Sequence, residues 1–138
     1  MDIKKVVIIG SGTMGSGIAA HLCNANIPVV LLDLKTEIAE KAKERILKSR
    51  PPLLFESSKI GSLKTGNILD NFDNVSDADW IIEAVVERIN IKHDIYRKIF
   101  KARKKDSIIS SNTSTIPLKV LAEKLKNKDK KDFCITHF

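Results

Sequence analysis

"VVIIGSGTMGSGIA", residues 6–19, decides how the rest of the chain reads. Val6 to Ile9 is an unbroken β-branched run stopped by Gly10, the pattern of a short strand buried on both faces. From Thr13 the period changes. Ile18, Leu22 and Ala25 recur at helical spacing, and the pattern breaks at Asn26 before Pro28, so a helix is expected over residues 13–25. Between strand and helix, Gly10, Gly12 and Gly15 form G-x-G-x-x-G. Alone that spacing carries little; a strand ending on its first glycine and a helix opening inside it give it meaning. Gly10 would make the tight turn, Gly12 would let the backbone approach a pyrophosphate, and Gly15 would let the helix pack closely on the strand. The first helical N–H groups, with Ser11, Thr13 and Met14 around them, would then face the phosphates.

A second apolar strand, "PVVLLD" at residues 28–33, closes on Asp33, 18 residues after Gly15. A carboxylate in that place accepts hydrogen bonds from an adenosine ribose and repels a 2′-phosphate, so the expected cofactor is NAD. Lys35, two residues on, is a cation that could offset part of that repulsion. Thr36 is expected to cap the next helix, with Glu37 and Glu40 in its first turn, Ile38, Ala42 and Ile46 on one face, and Lys48 and Arg50 closing it. Residues 51–76 hold no sustained period and contain Pro51, Pro52, Gly61 and Gly66; they read as a loop-rich excursion with a short strand or helix inside it. Order returns with a third strand over 80–86 and an amphipathic helix carrying Ile91, Ile95 and Ile99. A fourth strand over 107–110, a helix over 118–125 beginning near Pro117, and a fifth strand over 133–136 complete the pattern. Apolar strands alternating with helices imply an α/β fold, a doubly wound Rossmann-type parallel sheet that halts after about five strands, in one domain over residues 1–138.

Composition is consistent with that and excludes several classes. A chain of 138 residues, 43% hydrophobic, is long enough for a substantial core, and no stretch approaches the ~20 apolar residues of a membrane span. With no cleavable leader pattern, a cytoplasmic protein is expected. Cys23 and Cys134 lie far apart in apolar patterns and read as core filler, with no cluster to bind a metal. Two glycosylation-like triplets, at Asn74 and Asn112, have no meaning without secretion. The net charge of +7 collects in runs such as Arg97 to Lys105 and Lys124 to Lys131. Those runs follow helical patterns where cations complement the dipole, and aromatics are only 5%, so nucleic-acid binding is not expected.

Three later stretches narrow the reading. "WIIEAVVERINIK" (80–92), "SSNTST" (110–115) and "THF" (136–138), following the glycine loop in this order and spacing, resemble the L-3-hydroxyacyl-CoA dehydrogenase family of fatty-acid β-oxidation. The likeness runs from Ile3 to Phe138 and is weakest across 51–76; the "RPPLL" to "GNILDN" segment is similar in style to the dehydrogenase part of long bifunctional proteins. The resemblance implies that Gly10 to Gly15 and Asp33 hold NAD, with Ala84, Glu87 and Lys92 along the nicotinamide ribose. It implies that Asn112 and Ser114 come from the loop after the fourth strand, that Ser114 bonds the substrate's reacting oxygen, and that His137 is the general base. The chemistry agrees: loss of hydride from a secondary alcohol requires loss of the hydroxyl proton, and imidazole titrates near neutral pH. His21 and His93 lie in helical patterns and read as surface or packing residues; Glu83 reads as structural.

The family's glutamate that orients the histidine, and the helical domain that dimerises and completes the acyl-CoA site, would lie downstream of Phe138. The expectation is therefore the NAD-binding portion of a 3-hydroxyacyl-CoA dehydrogenase, inactive as these residues alone, with acyl-CoA as substrate of the complete enzyme and either self-association or a C-terminal partner fragment. The open alternatives are a stand-alone nucleotide-binding or interaction module, and a different NAD-linked β-hydroxyacid dehydrogenase.

Overall fold

A computed structural model describes residues 2–138. Six strands form one sheet: β1 (Val6–Ile9), β2 (Val29–Asp33), β3 (Leu63–Asn67), β4 (Trp80–Glu83), β5 (Ile108–Ser111) and β6 (Phe133–Ile135). Their order is β3-β2-β1-β4-β5-β6 and every pairing is parallel. The order reverses beside β1, the switch point where ligands bind in such sheets. The α-helices are α1 (Thr13–Asn24), α2 (Thr36–Lys48), α3 (Ile89–Ala102) and two single turns, α4 (Leu118–Leu121) and α5 (Asn127–Lys130), and 3-10 helices at Ser57–Ser62 and Phe72–Asp77 flank β3.

Alternation along β1 divides the interior. Val6 and Ile8 pack into a cluster under α1 and α2 with Leu22, Leu31 and Ile46, while Val7 and Ile9 face a second cluster under α3 with Ile81, Tyr96 and Ile99. All four β1 residues are at most 1% exposed, as expected of a strand covered on both faces.

Four local readings change. The sheet has six strands, because Leu63–Asn67 pairs with β2 at the outer edge. Only Leu63 and Gly66 of that strand are buried, so it carries no apolar run to mark it. The strand at Trp80 ends at Glu83 instead of residue 86: the Glu83 carboxylate accepts the Val85 N–H at 2.9 Å, and the chain leaves the sheet there. Thr36 is the first helical residue of α2 and makes no capping bond; its hydroxyl accepts from Asn67 Nδ2 at 2.9 Å. The helix expected over 118–125 lasts one turn, and α5 follows it. Among the described residues no helix is long and apolar enough to cross a membrane.

Candidate functional site: a dinucleotide cleft and the edge beside it

The glycine loop leaves β1 at the switch point. Gly10 has φ +105°, and a Cβ on it would lie 2.4 Å from the Ala84 carbonyl oxygen. A Cβ on Gly15 would sit 1.9 Å from the Gly10 carbonyl oxygen, so helix and turn touch backbone to backbone. Gly12 is different: nothing lies within 4 Å of a Cβ built there. The loop is thus closed on its protein side and open at Gly12, where a pyrophosphate would come. No side chain caps α1 and no acid occupies its first turn, which leaves the first N–H groups for an anion.

Asp33 ends β2 facing this loop. Its Oδ2 accepts from Ser11 N–H (2.7 Å) and Ser11 Oγ (2.5 Å), and its Oδ1 accepts from Leu34 N–H (2.7 Å). A carboxylate offers about four lone-pair sites, so one remains for a ribose hydroxyl, and exchange of the Ser11 hydroxyl frees a second. A cleft of about 360 Å³ opens between Asp33, the loop and Ala84, walled by Leu34, Ile38, Ile68 and Val86. Apolar walls, one carboxylate and uncapped helix N–H groups fit adenosine and a pyrophosphate.

Beyond Ala84 lies a buried polar hub. Glu83 and Lys92 are both 0% exposed, with Lys92 Nζ 2.6 Å from Glu83 Oε1. Glu83 Oε2 accepts from Tyr96 Oη and Ser111 Oγ, each at 2.6 Å. Burial and the Glu83 carboxylate push the Tyr96 phenol well above its ordinary range, so it stays a donor. One carboxylate therefore joins β4, α3 and β5, and among the described residues no buried side-chain N or O lacks a partner. Glu87, at the surface end, lies 3.9 Å from Lys92 Nζ and accepts from Thr113 Oγ1 at 2.8 Å.

The loop after β5 carries Asn112, Thr113 and Ser114 to the same edge. Ser114 Oγ is 3.0 Å from His137 Nε2, and Asn112 Oδ1 accepts the Phe138 N–H at 3.4 Å. Both Ser114 and His137 are exposed, beside an open hollow of about 390 Å³. His93 is buried with Nε2 3.0 Å from the Val120 carbonyl, a packing role; His21 is exposed, near Phe138. Burial raises both cysteine thiols, which disfavours thiolate. A larger hollow of about 520 Å³, between α3 and residues 124–129, contains none of the expected site residues.

The structure thus gathers Gly10, Ser11, Gly12, Asp33 and Ala84 around the cleft, while Gly15 packs on the turn and Thr13 and Met14 line a separate hollow with His21 and Phe138. Ser114, Asn112, Glu87 and His137 lie around the next strand ends. Lys92 points inward to Glu83. Three contributors escaped the sequence reading. Tyr96 and Ser111 look like core and strand residues until Glu83 is placed between them, and an acid inside an apolar strand was the signal. Arg45, whose guanidinium reaches the glycine loop, gave no signal because its partner lies 34 positions away.

Fold and cleft define a Rossmann-type dinucleotide-binding unit. The chain belongs to the 3-hydroxyacyl-CoA dehydrogenase NAD binding domain family, whose model matches residues 5–138. It is 45% identical over 144 residues to a Rickettsia felis protein named for a fatty acid oxidation complex trifunctional enzyme, covering 99% of this chain and 20% of that protein. It is 39% identical to a Deinococcus radiodurans protein named for a 3-hydroxyacyl-CoA dehydrogenase, covering 100% of this chain and 42% of that protein. The structure of Escherichia coli 3-hydroxybutyryl-CoA dehydrogenase superposes with a TM-score of 0.85 at 27% identity, over 100% of this chain and 30% of that one. The chain therefore spans between a fifth and less than half of the curated relatives named here.

Proposed function

We propose that the chain is the cofactor-holding domain of a 3-hydroxyacyl-CoA dehydrogenase, with His137 and Ser114 as its reacting pair. The observation that carries this reading is the 3.0 Å contact between Ser114 Oγ and His137 Nε2, made at the strand ends that border the NAD cleft. Bound NAD supplies the acceptor for the hydride leaving the substrate's C3 carbon. The uncapped start of α1 and the open face of Gly12 hold its pyrophosphate, and Asp33 takes the adenosine ribose. Ala84, Glu87 and Lys92 flank the nicotinamide end, with Lys92 acting through its ion pair to Glu83. His137 Nε2, with the ring proton on Nδ1, accepts the substrate's hydroxyl proton. Ser114 Oγ, 3.0 Å from that nitrogen, donates to the same substrate oxygen and keeps it within reach. Asn112 holds the backbone after His137 and so fixes the ring's approach.

In this reading residues 1–138 form the NAD-binding domain, and polypeptide beyond the matched span of the longer relatives completes the acyl-CoA pocket. A cytoplasmic setting and self-association through β6, an outer strand of the sheet, belong to the same reading. The test is NADH fluorescence on titration, followed by acetoacetyl-CoA-dependent NADH oxidation. These 138 residues are expected to bind NADH, to lose at least about tenfold in affinity on Asp33→Ala, and to oxidise NADH far below a dehydrogenase rate. A folded chain that ignores NADH overturns the cofactor role. Normal turnover overturns the need for further polypeptide.

A further inference from the structure

We propose that Arg45 is a second determinant of cofactor choice: its guanidinium is the group in this cleft that would take a ribose 2′-phosphate, and the Asp33 carboxylate is what prevents it. The inference rests on the reading of the cleft as the NAD site. Arg45, near the end of α2, lines the same cleft as Asp33 and Gly12. Its Nη2 donates to the Ser11 carbonyl at 2.9 Å and to Ser16 Oγ at 3.4 Å. Asp33 grips the same residue from the other side, through the Ser11 N–H and hydroxyl. A carboxylate and a guanidinium therefore flank one residue of the phosphate loop, one on its N–H and one on its C=O.

The donor inventory shows what Arg45 still has to offer. A guanidinium carries five N–H donors in a fixed fork. Two are committed here, and Arg45 forms no ion pair among the described residues. Three donors and a full positive charge remain at the edge of the cleft. The two other cations nearby do not compete on these terms. Lys43 Nζ is bound to the Leu63 carbonyl at 2.6 Å, and Lys35 is an exposed N-terminal flanking residue of α2 that does not line the cleft.

Against NAD, Asp33 accepts from the ribose hydroxyls, and Arg45 serves the loop by holding the Ser11 carbonyl away from the phosphates. Against NADP, Asp33 repels a phosphate dianion that Arg45 could otherwise engage through its uncommitted Nε and Nη1 N–H groups. Selectivity is then a difference between two opposed charges.

The test is fluorescence titration with NADH and NADPH of the wild type, Asp33→Asn, Asp33→Asn with Arg45→Gln, and Asp33→Asn with Lys35→Gln. Adenosine 2′-monophosphate serves as a competitor that needs no nicotinamide. Asparagine keeps an acceptor for the Ser11 N–H; Asp33→Ser repeats the test should Asp33→Asn not fold, with folding checked by circular dichroism. The wild type is expected to prefer NADH. Asp33→Asn should shift the NADPH/NADH affinity ratio by about tenfold or more and bind adenosine 2′-monophosphate. Arg45→Gln should abolish both gains, and Lys35→Gln should keep them. Gains that survive Arg45→Gln, gains lost with Lys35→Gln, or no gain at all overturn the role of Arg45. A folded wild type that binds neither nucleotide overturns the NAD reading itself, and this inference with it.

Discussion

Glu83→Gln should be among the most damaging single-atom exchanges in the molecule. Glu83 and Lys92 are both fully buried and 2.6 Å apart, and the next acid, Glu87, stands 3.9 Å from Lys92. Glutamine keeps the volume, and the Tyr96 and Ser111 hydroxyls can rotate to accept from its amide. What it removes is the counter-charge of a buried ammonium. Breaking one side of such a pair costs about 3–5 kcal/mol. Set against a total stability of about 5–15 kcal/mol, that is a large share, and for a domain of this size it corresponds to a fall in Tm of roughly 10–20 °C. Lys92→Met on top of Glu83→Gln should recover much of the loss, because the pair is then replaced by groups without charge. Urea unfolding of the wild type, Glu83→Gln, Lys92→Met and the double variant, followed by the fluorescence of Trp80, the single tryptophan, whose Nε1 donates to Ser110 at 2.9 Å, gives the four free energies of the cycle. The expected coupling between the two sites exceeds about 2 kcal/mol. Additivity within about 0.5 kcal/mol would refute the argument that one charge exists to hold the other.

The glycines should separate fold from ligand. Gly15→Ala, which meets the Gly10 carbonyl, should cost more than about 3 kcal/mol in urea unfolding; Gly12→Ala should cost no more than about 1 kcal/mol yet weaken NADH binding at least tenfold. Unchanged NADH affinity in Gly12→Ala would place the pyrophosphate elsewhere. Asp79 accepts from the Lys4 and Lys5 N–H groups at 2.8 and 3.0 Å and from Lys104 Nζ, and the Lys104 bond, then the backbone donors, hold its carboxyl below the usual range. A carboxyl lowered in the folded state stabilises fully above its unfolded pKa and loses that contribution as pH falls through the folded value. Asp79→Asn should therefore lower Tm by a few degrees at neutral pH, with the gap to wild type closing below about pH 4. A gap that stays constant down to acid unfolding would show that Asp79 acts by shape and not by charge.

The β1-loop-α1 unit was legible because every feature that defines it lies within 14 residues: a buried run, three glycines in a fixed spacing, and a change of period from strand to helix. Asp33 was legible for the same reason, since a strand end is marked by the apolar run before it. Of β3 only its place was legible, as the short strand or helix expected within residues 51–76; its type and bounds were not, because an outer strand with two buried positions has neither alternation nor an apolar run to announce it. The shortening of β4 was hidden too, since Val85 and Val86 look like strand residues until the Glu83 side chain takes the Val85 N–H.

Sequence by itself determined the parallel α/β architecture, the glycine turn, the acid at β2 and, through four ordered motifs, the family. Those signals are local, each set by the steric and hydrophobic demands of a few consecutive residues. Only the tertiary structure decided which polar groups meet. Glu83 joins Lys92, Tyr96 and Ser111 across as many as 28 positions, Arg45 meets Ser11 across 34, and Ser114 meets His137 across 23. Buried charge and hydrogen-bonding capacity must be matched in space, and the matching partners come from whichever strands the sheet order sets side by side.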